Sequence, residues 1–512
     1  MNSLSKVLAV AVILAIAVVG YLASGWISLG NFRPLTLTIS FSAVLGFAIV
    51  ILKRWEIGLF TFFIWIVLED LLRKYIGNDM ILYLVKDVLM ILVYISYFVP
   101  RLLNWRQSSG IRSPLLAPLA VWFVWALAEA FNPGIDHPLV PLIGLRMSFF
   151  YIPMIFLGYS VALAESRLMA FLKLNIFLGT VVAVLGIIQA IFGLEFLNPA
   201  GFVPYLRLYL VRAVAGTGAA VPRPNSVFAD AGRFAQYLYV IIVLCLGTLA
   251  SGRLTKRAAS RRESSPAWIW ICLLILSVGL FVSGQRAAMY LLGLGIPVLV
   301  VFRHYEARAL RGAKSGMPLL KIGVLLLVGF MCLWSLFPQR VQATYDFYTK
   351  TLLPADMGLE VPYRVDSLVW QFKYALSQSP LLGHGTGTNS LGRQYLYNMT
   401  DFYSPAGSSM SGVEMGYGAL VWEWGLVGLA IWIWWGLSLM RQSLRITLAL
   451  AGTRFFWLAA TISYLLFSII FLWLFLGLQV YQNYVTAAFV WFLAGVLLGL
   501  PKIAEESSHR ER

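Results

Sequence analysis

"AFLKLNIFLGTVVAVLGIIQAIFGL", residues 170–194, decides the fold. It carries one charge, Lys173, and is otherwise apolar for longer than the roughly 20 residues a helix needs to cross a bilayer core of about 30 Å. The same ruler, applied outward, gives spans near 7–24, 35–52, 57–72, 80–99, 115–131, 140–163, 170–194, 233–251, 266–283, 287–303, 319–337, 416–439, 455–480 and 483–500. Lys6, the first apolar run and "YLASG" could form a signal peptide, but the spans that follow directly favour a first transmembrane helix. Composition agrees: 12% of the residues are charged, against about 25% in soluble domains. The expected fold is an all-α polytopic membrane protein with about 12–14 transmembrane helices.

The net charge of +17 would suit a nucleic-acid binder, so its distribution matters. With the N-terminus inside and the spans alternating, the cytoplasmic side receives Lys53 and Arg54, "PRLLNWRQSSGIR", "SGRLTKRAASRRESS", "RHYEARALRGAK", "RQSLR" and the tail "PKIAEESSHRER". That is the positive-inside pattern, and it excludes nucleic acid as the explanation. Both termini are then cytoplasmic. Two longer segments, 195–232 and 338–415, fall on the opposite face.

Cytoplasmic loops do not account for every arginine. Arg207, Arg212, Arg223 and Arg233 surround the first long segment; Arg340, Arg364 and Arg393 surround the second. Arg286 lies in "VSGQRAAMYL", at the mouth of two apolar spans, where an unpaired charge is costly. Such side chains either snorkel to headgroups or bind an anion. A guanidinium fork matches phosphate oxygens two at a time, so converging arginines could hold a diphosphate. The outer loops contain no Asp-x-Asp pair, and the four histidines and three cysteines are scattered, so neither a metal nor another cofactor is expected.

The second long segment contains "YRVDSLVWQFKYALSQSP", in which Val365, Leu368, Val369, Phe372 and Ala375 recur at helical spacing and Pro380 ends the run. A short surface helix is expected there. It leads into "PLLGHGTGTNS", where Gly383, Gly385 and Gly387 alternate. A nucleotide-binding P-loop would end in Gly-Lys-Ser/Thr, and this loop has no lysine. Its glycines serve a tight turn or let the backbone approach a phosphate.

"YRVDSLVWQFKYALSQSPLLGHGTGT" resembles the signature of the O-antigen ligase and polysaccharide polymerase superfamily: an Arg, a Trp several residues on, an amphipathic helix, then "PLLG-x-G-x-G". "VSGQRAAMYL" is similar to its Ser-x-Arg motif, which gives Arg286 a role. "EMGYGALVWEWGLVGLAIW" is similar to the segment that re-enters the membrane, with Glu423 in place. "RPNSVFADAGRFAQYLYV" is similar to an upstream motif. The resemblance divides the chain into N-terminal helices (1–199), a ligase/polymerase-like core with its periplasmic loop 338–415 (200–440), and C-terminal helices with a cytoplasmic tail (441–512).

The resemblance implies a GT-C-like glycosyltransferase of the bacterial inner membrane, working at the periplasmic face with a metal-independent mechanism. The donor would be a glycan on undecaprenyl diphosphate, and the acceptor a glycan or a lipid. Other polysaccharide-assembly proteins would be partners. Arg286 and Arg364 would stabilise the diphosphate leaving group, with Arg223, Arg233 and Arg212 in support. The loop of Gly383, His384, Gly385 and Gly387 would add backbone N–H groups or leave room for the sugar diphosphate. Ligases of this superfamily carry a His-Asn pair before the glutamate; this chain has Glu414 and Met415 there. That departure favours a polymerase over a ligase that transfers glycan to lipid A. Glu414 is the candidate general base or else a loop-holding ion-pair partner, and His384 is a substitute base or a spacer. Asp230 is expected to pair with Arg233, one helical turn on. Glu69 and Asp70 read as boundary residues. A flippase for the same lipid is the rival of a different class, though no internal symmetry is visible.

Overall fold

A computed structural model describes residues 44–76, 80–103, 113–199, 211–213, 220–251, 267–309, 319–352, 360–379, 381–390, 413, 415–476 and 480–510. The expected span near 7–24 and the first half of that near 35–52 lie outside the described residues. Among the described residues, eight helices are long and apolar enough to cross a membrane, and four more apolar helices are shorter. The protein is therefore an all-α, multi-pass membrane protein. The elements in chain order are α1 (Val44–Lys53), α2 (Trp55–Ile76), α3 (Met80–Leu103), α4 (Leu116–Glu129), α5 (Leu139–Phe149), α6 (Met154–Ala162) and α7 (Glu165–Phe192). A two-stranded antiparallel hairpin, β1 (Val211–Ala213) and β2 (Ala220–Pro222), precedes α8 (Ala231–Ser251), α9 (Ala267–Val282), α10 (Arg286–Ala309), α11 (Leu319–Leu336), α12 (Pro338–Leu352) and α13 (Glu360–Gln378). The chain closes with α14 (Gly416–Ala449), α15 (Phe456–Phe467), a π-helical turn (Ser468–Trp473) and α16 (Tyr484–Arg510).

Three expected spans differ in detail, each for a local reason. The span near 140–163, counted once among the eight, is broken into α5 and α6, because Pro153 has no N–H to continue α5 and instead precedes α6. "RQSLR", expected as a cytoplasmic loop, lies within α14: no Gly or Pro follows the apolar run, so the helix continues to Ala449. α2 is long enough to span but carries Glu69, Asp70, Arg73 and Lys74 in its second half, and all four are buried.

The chain forms two compact units, 1–63 with 84–108, and 64–83 with 109–512. In the first, Gly58 lets α2 lie against Val93 and Ile51, and Trp55 meets Tyr97 edge-on at 5.1 Å. The Ser96 hydroxyl donates to the Leu52 carbonyl at 3.0 Å.

The second unit holds the remaining elements. α16 packs along α6 through glycines: Gly158 faces the Phe492 carbonyl and Gly495 faces the Ile155 carbonyl, leaving no room for a side chain. Small residues at a crossing permit such backbone approach, a main source of helix association in lipid. α8 is buried almost throughout, between α7, α9 and α15. The helices after residue 440 thus pack among those before residue 200. The surface helix expected from "YRVDSLVWQFKYALSQSP" is α13; it buries Leu368 and Ala375 against α14 and leaves Val369 exposed.

Candidate functional site

Inside α14, Gly425 has φ 65° and ψ −171°, which breaks the helix. In this region of backbone space glycine is favoured. A break frees the carbonyls of the preceding turn, and in an apolar setting they need new donors. The glycine loop supplies them. The His384 N–H donates to Trp422 O at 2.8 Å and the Gly385 N–H to Glu423 O at 3.2 Å, while the Trp125 indole N–H reaches Trp424 O at 3.1 Å. Only glycine fits at Gly383, where a Cβ would fall on the Glu423–Trp424 peptide.

The far side of the loop is anchored to α4 and α5. The Thr386 N–H donates to Glu129 O at 3.1 Å, and its hydroxyl donates to Ala126 O at 2.6 Å. The Asn132 amide links the Glu129 carboxylate and Gly383 O, each at 2.8 Å. Gly387 (φ 90°) lies against Val140 and Gly144. The loop also encloses a carboxylate: Glu423 is fully buried, and its Oε1 accepts the Asn389 N–H at 3.2 Å and the Gln482 amide at 3.5 Å. Gly387 therefore serves close backbone approach within the protein, and Gly385 (φ 104°) turns the chain against the side chains of Ile135 and Asn132. The amides of His384, Gly385, Thr386 and Asn389 are engaged there, which corrects the expectation that these N–H groups face a diphosphate. His384 lies on the indole of Trp422 with centroids 4.1 Å apart, and its Nε2 is buried without a hydrogen-bond partner. Burial lowers its pKa, favouring the neutral imidazole.

A second cluster is built on "RPNS", residues 223–226. Gln189 on α7 accepts the N–H groups of Asn225 and Ser226 at 2.9 and 2.7 Å and donates to the Asn225 side chain at 3.0 Å. Ser226, at φ 51°, is held by its hydroxyl on Val182 O and by Lys74 Nζ on its own carbonyl, both at 2.7 Å. This turn fixes Arg223, which is 7% exposed, donates to Gln285 Oε1 at 2.6 Å and leaves Nε buried and unpartnered. Among the described residues no carboxylate forms an ion pair with Arg223. Burial lowers its pKa; Asp230 and Tyr348 oppose that, and Arg286 adds to it. Arg286 opens α10 and lies 5.6 Å from the centre of the Phe347 ring. Tyr348, on α12, faces both arginines; burial raises its phenol pKa, and the two guanidiniums pull it down.

The remaining expected residues are distributed as follows. Arg233 is near the start of α8, and its guanidinium pairs with Asp70 rather than with Asp230. Asp70 also accepts from Arg73 and from the Ala229 N–H at 3.0 Å. Asp230 instead accepts the Arg233 backbone N–H at 3.1 Å, as a helix N-cap does. Asp70 and Glu69, expected as boundary residues, are fully buried. Arg212 lies on β1 opposite Val221, which places its backbone two residues from that of Arg223 in register. Arg364 is on α13, with its side chain outside the described residues, and Glu414, Arg207 and Arg393 lie outside them altogether. Among the described residues, no group of three or more His, Cys, Asp or Glu could hold a metal ion.

No protein-family model matches the chain, and no curated protein matches it. The site therefore rests on its own geometry.

That geometry joins the two clusters through "YQNY", residues 481–484, which composition alone did not single out. Gln482 contacts Glu423, the Asn483 amide donates to Gln236 at 2.5 Å, and the Tyr484 ring lies 5.0 Å from the Arg233 guanidinium. Asp70 then ties Arg233 to Ala229, within reach of the turn that holds Arg223. The N-terminal ends of α8, α10, α14 and α16 so gather around one polar network. A signal for it existed: "QNY" is a polar interruption between two apolar runs, and Arg146 is a lone charge in another. Arg146 donates to the Tyr83 hydroxyl at 2.9 Å.

Proposed function

We propose that this protein is a glycosyltransferase that extends a polysaccharide from a polyprenyl-diphosphate-linked donor, with its site at the extracytoplasmic ends of α8, α10 and α14. The observation that carries the reading is the buried Arg223 guanidinium set with the half-buried Arg286 beside Tyr348, with no carboxylate paired to Arg223 among the described residues. Two like charges held in a poorly solvated place favour an anion between them, and guanidiniums favour phosphate oxygens. The resemblance of "VSGQRAAMYL" and the glycine-loop stretch to the O-antigen ligase and polymerase superfamily supports the same substrate class. Glu414 and Met415, at the position of the ligases' His-Asn pair, favour a polymerase.

In this mechanism an acceptor hydroxyl oxygen attacks the anomeric carbon of the donor sugar. The carbon–oxygen bond to the lipid diphosphate breaks, and the diphosphate departs with the bonding electrons. Arg223 and Arg286, with Arg364 and Arg212 in support, balance the charge that develops on it. Preplaced donors of this kind are worth about 100- to 1,000-fold each in turnover. The hydroxyl proton passes to a base, for which Glu414 and the neutral His384 are the candidates.

The test is purified protein in nanodiscs, given an undecaprenyl-diphosphate oligosaccharide and no nucleotide or ion gradient. Wild type should build a glycan ladder, and Arg223→Ala and Arg286→Ala should each lose it by about two orders of magnitude or more. Ladders of normal intensity in both variants reject the reading. Movement of donor across the bilayer without bond formation would make the protein a transporter.

A further inference from the structure

α13 presents Asp366, Trp370, Lys373 and Ser377 on one exposed face. Trp370 is the anomaly there, a large aromatic side chain 62% exposed between an acid one turn before it and a base three residues after it. Its orientation is fixed from behind. Trp370 stacks on Tyr374 with centroids 5.2 Å apart and planes 10° apart, and Tyr374 stacks on Trp422 at 5.9 Å and 19°. Trp422 in turn lies on His384 of the glycine loop at 4.1 Å. The core rings around Trp122, by contrast, meet edge-on or tilted. The series runs from open surface to the loop that holds the broken helix, and it leaves the outer face of Trp370 uncovered by the rings behind it.

A flat, immobilised aromatic face with charged and polar groups at its edge matches a pyranose ring, which has one face of C–H bonds and a rim of hydroxyls. A tryptophan that merely anchors a helix in the headgroup belt needs neither a parallel stack behind it nor Asp366 and Lys373 beside it. We propose that Trp370, held by Tyr374 and Trp422 and flanked by Asp366 and Lys373, is a binding subsite for a sugar ring of the acceptor glycan. The subsite rests on the glycosyltransferase reading and names where the acceptor chain is held.

The experiment has two arms, both on the full chain in nanodiscs. In the first, maltohexaose, cellohexaose and chitohexaose are the probes, and saturation-transfer NMR reads contact with their ring C–H protons. Wild type should saturate at least one of them, Trp370→Phe should retain the effect, and Trp370→Ala and Trp370→Leu should lose it. In the second, glycan transfer from the lipid-linked donor is followed. Trp370→Ala should raise the acceptor KM by about two- to tenfold with kcat little changed, the range expected for one aromatic stacking contact. The subsite is overturned if no hexasaccharide is saturated in wild type, if Trp370→Ala behaves as wild type in either arm, or if Trp370→Leu does as well as Trp370→Phe. The last outcome would make Trp370 a membrane-surface anchor. Saturation without any bond formation would keep the subsite and remove the transferase, whereas bond formation unaffected by Trp370→Ala would do the reverse.

Discussion

Gly383→Ala should dislodge the glycine loop. The φ of Gly383 lies outside the left-handed region, so the substitution acts by sterics alone. The added carbon falls on the Glu423 carbonyl and the Trp424 nitrogen, backbone atoms that no rotamer change can move aside. If the loop lifts, it gives up the His384 N–H bond to Trp422 O at 2.8 Å and the Gly385 N–H bond to Glu423 O at 3.2 Å. It also loses the Asn132 amide on Gly383 O, at 2.8 Å. Two carbonyls would remain in the interior of a broken helix without donors, at about 1–3 kcal/mol each, for a loss of about 2–6 kcal/mol. Gly293→Ala is the control: it lies on an exposed helical position of α10 with open space around it, and should be neutral or slightly stabilising. Thermal unfolding followed by tryptophan fluorescence gives the comparison, and hydrogen exchange at residues 384–386 reads the loop itself. A Gly383→Ala protein that melts with wild type and keeps those amides protected would refute the account of the loop.

Other outcomes follow from the same contacts. Asp70→Asn removes the fully buried carboxylate that both Arg73 and the half-buried Arg233 engage, leaving Arg73 with Glu69, and should lower the unfolding free energy; adding Arg233→Gln should cost less than the sum of the single changes. Glu423→Ala should free the Asn389 N–H and speed its exchange, while Glu423→Gln keeps an acceptor there and should change it little. His384 has a folded-state pKa below its ordinary 6.5, so the unfolded chain binds more protons as pH falls through that value. Its contribution to stability should therefore be present above about pH 6.5 and decline below it, and His384→Gln should flatten that part of the melting profile. Gly425→Ala, at φ 65° and against the Leu381 carbonyl, should destabilise the protein and also lower activity in the glycan-ladder assay.

The membrane class and most helices were legible in the sequence, because a bilayer demands long apolar runs and those are visible one residue at a time. Helix ends were less legible: the "RQSLR" stretch continues α14, since charges at a membrane boundary mark the lipid's edge and not the helix's. The site was legible in its parts and not in its pairings. Arg223 and Arg286 could be singled out as charges that topology left unexplained. That Arg233 belongs to Asp70, 163 positions away, could not, because a buried ion pair has no local spacing. The glycine loop reads as either a tight turn or a receptor for an outside anion, and the sequence does not say which groups its N–H donors meet. Its acceptors are carbonyls released by the break at Gly425, and nothing in the run "WEWGLVG" reveals that a helix breaks there until the fold is known.

The order in which the ribosome delivers these pieces gives the break at Gly425 a further meaning. Residues 126–144 are made first, the loop next and Trp422 to Gly425 last, so the loop can settle on α4 and α5 before the discontinuous helix emerges. Carbonyls without intrahelical partners could then enter the bilayer onto donors already in place. The early helices act as a mould for a later one, and a fault near Thr386 would surface as a defect in inserting a segment some forty residues downstream.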